Sequence, residues 1–237
     1  DIEMQYSSPY IELCIEGSLS VFRGIDHDAR RLLDNNHSYT CFRKGEYVIR
    51  EGDRTRGLYI IVSGSAKLFS TGVGGREQII KLLKPPAIII YNTIFSENHS
   101  WFSCKTFENT AVVVIEKNSL VKLLRQNGEL SMRFLKLISD ELTFTNKRLV
   151  SLTQKHVRGR LAESLILIRD TYGLEADGKT LRAILSREDI AHLSNMTTSN
   201  AIRTLSNFAA EKIIDIKGKR IIIRDALKLE EISQSGQ

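Results

Sequence analysis

Cysteine is scarce: there are three in 237 residues, Cys14, Cys41 and Cys104, and no C-x-x-C spacing. An odd, scattered set excludes a disulfide framework and a zinc finger. It also excludes a four-cysteine iron–sulfur site within one chain. The expectation is reduced, buried, structural thiols in a cytoplasm. No stretch of transmembrane length is free of charge, so no membrane partner is expected. The first residues lack a basic region followed by an apolar run, so no secretory signal is expected either. Nucleophile–base pairings, His-Glu-x-x-His, phosphate loops and paired carboxylates in an apolar frame are all missing. The nearest acids, Glu51, Asp53 and Glu97, read as solvated turn residues. These absences argue against an enzyme. There is no internal repeat and no low-complexity tract.

What is present is basic charge at one end. The net charge is +6 and the chain is 42% hydrophobic, enough for a real core in two modest domains. Residues 156–228 hold 13 Lys and Arg against 9 Asp and Glu, a net of +4. Most of the excess therefore sits in the last third, which suits a polyanionic partner. In that third, Ser186 is placed to cap a helix, with Asp189 three positions on in a capping-box pattern. Ile190, Ala191 and Leu193 supply its apolar content. Ser194-Asn195-Met196 reads as a tight turn, where Asn tolerates the left-handed conformation. Thr197 caps a second helix, on which Ala201, Leu205 and Phe208 form one buried stripe. The other face carries Thr198, Ser199, Arg203 and Asn207. A hairpin follows, Ile213–Ile216 and Arg220–Ile223 around Lys217-Gly218-Lys219. Helix, turn, polar-faced helix and basic hairpin together predict a winged helix-turn-helix that binds double-stranded DNA.

The remainder predicts an α+β protein. Residues 1 to about 37 read as helical and linking, with a short helix at Ala29–Leu33. Short apolar runs then alternate with glycines: Tyr47–Ile49, Leu58–Val62, Ala66–Phe69, Gln78–Ile80 and Ala111–Ile115. This spacing predicts an antiparallel β-barrel or jelly roll. From Gly128, Leu135, Ile138, Leu142, Thr145, Leu149 and Leu152 fall at three- and four-residue steps. They form a heptad-like seam on one helix of about 27 residues, roughly 40 Å long. A seam so narrow predicts pairing with a second copy, and a two-fold dimer matches a near-palindromic DNA site. The expected boundaries are a sensing domain at 1–127, a dimerisation helix at 128–155 and a DNA-binding domain at 156–237.

This order of parts resembles the Crp/Fnr family of bacterial transcription regulators. Lys44–Asp53 followed by Gly57–Gly64 looks like the family's first barrel hairpins. Leu152–Ala162 resembles its hinge and first C-terminal helix. The resemblance implies a cyclic-nucleotide-binding-like domain and contact with RNA polymerase. It also shows where the chain departs. Cyclic-AMP-binding members carry a Gly-Glu pair and, after a short helix, an Arg-Ser or Arg-Thr pair. On an ungapped alignment Ile90, Tyr91, Ser100 and Trp101 stand at those positions, with Asn92 beside them. No arginine lies between Arg76 and Arg125. A cyclic phosphate buried without a cation would be poorly compensated, so a response to cyclic AMP is not expected. Ile88, Ile89, Ile90, Tyr91, Trp101 and Phe102 make an apolar neighbourhood that suits a filled core, a hydrophobic effector or haem. For haem, with gas or nitrosative-stress sensing as the alternative function, His37, Cys41, His99, Cys104 and Met132 are residues of ligating type. No cofactor is otherwise expected.

The reading helix departs too. Members that read a TGTGA-type half-site carry Arg-Glu at the positions of Thr198 and Ser199, and an arginine at Arg203; only Arg203 remains. Arg203 is expected to contact a guanine through both arms, worth about 1–3 kcal/mol of discrimination. Thr197, Thr198, Ser199 and Asn200 supply further base or phosphate contacts. Arg187, Lys217, Lys219 and Arg220 are expected on phosphates, adding affinity without sequence preference.

Overall fold

A computed structural model describes residues 9–17, 20–90, 92–95 and 99–236. Its contacts divide the chain into two compact units, residues 1–70 with 83–142 and residues 71–82 with 143–237.

The first unit opens with α1 (Pro9–Glu16) and α2 (His27–Asn35). Asp26 caps α2 by accepting from the Ala29 amide at 2.8 Å, which fixes the helix predicted around Ala29–Leu33. Along the chain eight strands follow, of which β5 falls in the second unit: β1 (His37–Phe42), β2 (Tyr47–Ile49), β3 (Gly57–Ser63), β4 (Ala66–Thr71), β5 (Glu77–Leu83), β6 (Ala87–Ile90), β7 (Ser103–Thr106) and β8 (Thr110–Glu116). They form two four-stranded sheets, ordered β1-β8-β3-β6 and β2-β7-β4-β5. That is the jelly-roll arrangement the glycine-punctuated runs predict, made of two sheets and not one closed ladder. The short helix α3 (Asn92–Phe95) follows β6, and α4 (Lys117–Gln126) and α5 (Gly128–Gln154) follow β8.

Strand alternation gives β3 and β8 two different faces. Leu58, Ile60, Val62, Val113 and Ile115 pack against Ile11, Phe22, Leu33, Leu120 and Phe134 in one buried cluster. The Phe22 and Phe134 rings meet edge to face, 5.7 Å between centroids. The helices thus cover one face of the first sheet, and the other face looks between the sheets. β1 is an edge strand, and its middle residues are exposed. This corrects the expectation that all three thiols are buried. Cys14 and Cys104 are buried, but Cys41 lies in β1, the edge strand of its sheet among the described residues, and is exposed.

In the second unit, α6 (Val157–Tyr172), α7 (Arg187–Leu193), α8 (Thr198–Ala210), β9 (Ile214–Lys217), β10 (Arg220–Ile223) and α9 (Ala226–Ser235) enclose a separate core. α6 and α9 approach so closely that a Cβ on Gly159 would stand 2.8 Å from the Gly236 Cα. Arg148, near the end of α5, is 8% exposed. Its Nη2 donates to the Leu193 carbonyl at 2.8 Å and its Nη1 lies 3.6 Å from Glu163. Burial disfavours the Arg148 charge and Glu163 favours it. The contact ties the last turns of α5 to the end of α7.

Candidate nucleic-acid interface

Two caps set the helix-turn-helix. The Ser186 hydroxyl accepts from the Asp189 amide at 3.0 Å and donates to the Asp189 carboxylate at 2.6 Å. Thr197 accepts from the Asn200 amide at 3.2 Å. Between them Asn195 adopts φ +50, the left-handed turn that its side chain tolerates. Met196 closes the turn from inside and is buried. Ala201, Thr204, Leu205 and Phe208 form the buried side of α8. An α-helix turns about 100° per residue, so this stripe sets the opposite, outward side. Ser199, Ile202, Arg203, Ser206 and Asn207 are exposed there; Thr198 and Asn200 are half-buried and the Thr197 cap is exposed.

Arg203 is aimed by its neighbour, since its Nη2 donates to Asn200 Oδ1 at 2.8 Å. This bond directs the guanidinium along the outward side. The apolar Ile202 on the same side escapes a reading made from polar residues alone. Counting helical angle from the buried stripe would have found it.

The wing is tighter than the sequence suggests. Lys217 pairs with Arg220, leaving Gly218 and Lys219 as a two-residue turn, with Gly218 at φ +59. Strands joined this way favour left-handed residues in the turn. The four basic residues assigned to phosphates then separate into two kinds. Lys217 and Lys219 carry no ion pair among the described residues and are exposed. Arg220 lies 3.2 Å from the Glu175 carboxylate. Arg187 donates from Nη2 to the Gly218 carbonyl at 3.0 Å, so it braces the wing turn against α7.

Of the residues read at the effector position, Ser100 and Trp101 have described side chains, one buried and one exposed. Tyr91 lies outside the described residues, and Ile90 and Asn92 are placed only as the end of β6 and the start of α3. Ser100 is buried, and its hydroxyl donates to the Phe102 carbonyl at 2.7 Å. Trp101 is 53% exposed and meets the buried Phe102 edge to face. Neither Ser100 nor Trp101 lines a cavity of about 530 Å³ on the sheet face away from the helices, which Asn36, His37, Thr40, Arg56, Tyr59 and Val114 help to form. The residues of haem-ligating type are scattered over several elements, only His37 and Cys41 sharing one. His37 opens β1, where its Nδ1 lies 2.9 and 3.1 Å from the Asp34 and Leu33 carbonyls. Cys41 is in β1, Cys104 in β7 and Met132 on α5, and His99 bridges to Arg54. Among the described residues no group of three or more His, Cys, Asp and Glu is placed to hold a metal ion.

The seam on α5 is open. Leu135, Leu142 and Leu149, seven residues apart, are 59%, 60% and 61% exposed. Thr145 is exposed, and Ile138 and Leu152 are half-buried.

Comparison with known proteins covers both units. A family model described as the cyclic nucleotide-binding domain matches residues 39–127. A model described as the Crp-like helix-turn-helix domain matches residues 159–232. The chain is 27% identical, over 88% of its length and 94% of the relative's, to the "CRP-like cAMP-activated global transcriptional regulator" of Mycobacterium tuberculosis. It is 29% identical, over 87% of its length and 89% of the relative's, to the "Anaerobic regulatory protein" of Bacillus subtilis. Among solved structures, FixK2 from Bradyrhizobium japonicum superposes with a TM-score of 0.73 at 20% identity, covering 83% of this chain and 96% of that one. That likeness concerns the fold alone.

Proposed function

The chain belongs to the Crp/Fnr family of transcription regulators, with a helix-turn-helix DNA-binding domain, and we propose that it acts as a homodimer on a near-palindromic promoter site without responding to cyclic AMP. The observation that carries this reading is the outward side of α8. It is a rank of small polar residues around a cation, Arg203, held in place by Asn200. The exposed Leu135, Leu142 and Leu149 support the homodimer. The reading assigns sensing to residues 1–127, dimerisation to 128–155 and DNA binding to 156–237. It places the protein in the cytoplasm, working with RNA polymerase. No helix among the described residues is long and apolar enough to cross a membrane.

The cyclic-AMP clause rests on charge. One relative's name describes it as cAMP-activated, but this chain offers no arginine from residue 77 to residue 124. Ser100, at the position of the family's phosphate-binding arginine, is buried and bonded to Phe102. An anionic ring placed there would lose water without gaining a cation. Calorimetry is expected to show no submicromolar binding of cyclic AMP, and such binding would refute the clause. Any signal instead shifts a population between arrangements of the two DNA-binding domains.

Selection of bound duplexes from a random pool, with purified protein and no added ligand, tests the whole reading. An inverted repeat with half-sites about 10 bp apart is expected. Salt-sensitive binding with no enriched sequence would overturn effector-independent site recognition. On the selected site, Arg203→Ala should flatten preference at one base pair, a loss of about 1–3 kcal/mol there. Lys219→Ala should weaken all sequences alike. Uniform loss for Arg203→Ala would remove it as a base reader.

A further inference from the structure

Ile202 is the one large aliphatic residue on the outward side of α8. It is 48% exposed, although the same helix buries Ala201, Leu205 and Phe208 on its other side. Thr198 and Ser199 lie one turn before it, Arg203 lies beside it and Ser206 one turn after. The Ser206 hydroxyl is spent on the helix itself, donating to the Ile202 carbonyl at 3.0 Å. It therefore does not compete for the space beyond Ile202. Ile202 is also β-branched, so its χ1 is nearly fixed in a helix and its methyl groups are presented with little entropy left to lose.

In the major groove the four unmodified bases offer donors and acceptors, plus a single apolar group, the C5 methyl of thymine. A rigid aliphatic side chain amid polar readers is complementary to that group and to no other base edge. We propose that Ile202 is a specificity-determining residue that reads a thymine methyl, within about two base pairs of the base pair contacted by Arg203. This rests on the DNA-reading role of α8 and names one more element of its code. Arg203 selects by hydrogen bonding and Ile202 by dispersion and desolvation.

The test uses the full-length protein and the site recovered by selection. Each thymine in one half-site is replaced in turn by deoxyuridine, which removes the methyl and keeps every hydrogen-bonding group. The wild type should lose about fourfold in affinity at one thymine, the factor expected for burying one methyl-sized group. Ile202→Ala should lose a similar factor on the unmodified site and show no further loss when that thymine is replaced. Alanine is a strong helix former at an exposed position, so an unchanged unfolding midpoint confirms that the fold is kept. If no replacement weakens the wild type, or if the penalty persists in Ile202→Ala, the assignment to Ile202 is overturned while DNA reading by α8 stands. A selection that enriches no sequence overturns both.

Discussion

Individual residues in this chain take their chemistry from how far they are from water. Burial pushes the Cys14 and Cys104 thiols up to about 12, because a thiolate in an apolar interior loses its hydration. Cys41 sits on the exposed edge strand β1. At pH 8 iodoacetamide should therefore add one label to the native protein, on Cys41, and three to the unfolded chain. Peptide mass mapping reads this directly, and rapid labelling of Cys14 or Cys104 would contradict the packing. The basic residues show the same dependence. Lys217 and Lys219 remain without ion pairs among the described residues, as their place in a wing suggests. Arg187 and Arg220 take partners, Gly218 and Glu175, that lie 31 and 45 residues away in the chain. No local pattern announces such partners.

At the scale of elements, local chemistry was a good guide wherever one segment determines its own shape. The caps Ser186 and Thr197, the left-handed Asn195 and the stripe on α8 all act within four residues, and all are found where the sequence places them. Elements without such marks were missed. β7 is a four-residue strand, and α4 is buried through Leu120, Leu123 and Leu124 only because β3 and β8 lie beneath it. The wing turn was drawn one residue too long, since the Lys217–Arg220 pairing is decided across the hairpin. Packing between elements also makes the sharpest stability prediction. A Cβ on Gly57 would stand 1.9 Å from the Ile115 carbonyl oxygen. Gly57→Ala must then push β3 away from β8, at the centre of the first sheet. The expected cost is about 3 kcal/mol or more, measured by urea unfolding. A change under about 1 kcal/mol would show that this strand pair is not as close as described.

For the whole molecule the decisive question is pairing. The α5 helix shows Leu135, Leu142 and Leu149 to water, and in the proposed homodimer a second copy laid along the same seam would remove that apolar surface. Leu142→Glu should convert a dimer into a monomer in sedimentation. It should also weaken binding to an inverted repeat at least tenfold, because two half-sites are no longer read by one particle. Its helical content should be unchanged. A wild type that sediments as a monomer at micromolar concentration would refute the paired seam. The DNA-binding end was visible before any coordinates, because caps, turns and helical stripes are written in neighbouring residues. The two-sheet architecture was visible because β periodicity survives in short runs. Long-range packing decided the rest. It left Cys41 on an open edge, turned the Trp101 side chain outward, and engaged Arg187 and Arg220. Exposure is set by what distant segments cover, and a linear pattern does not record that.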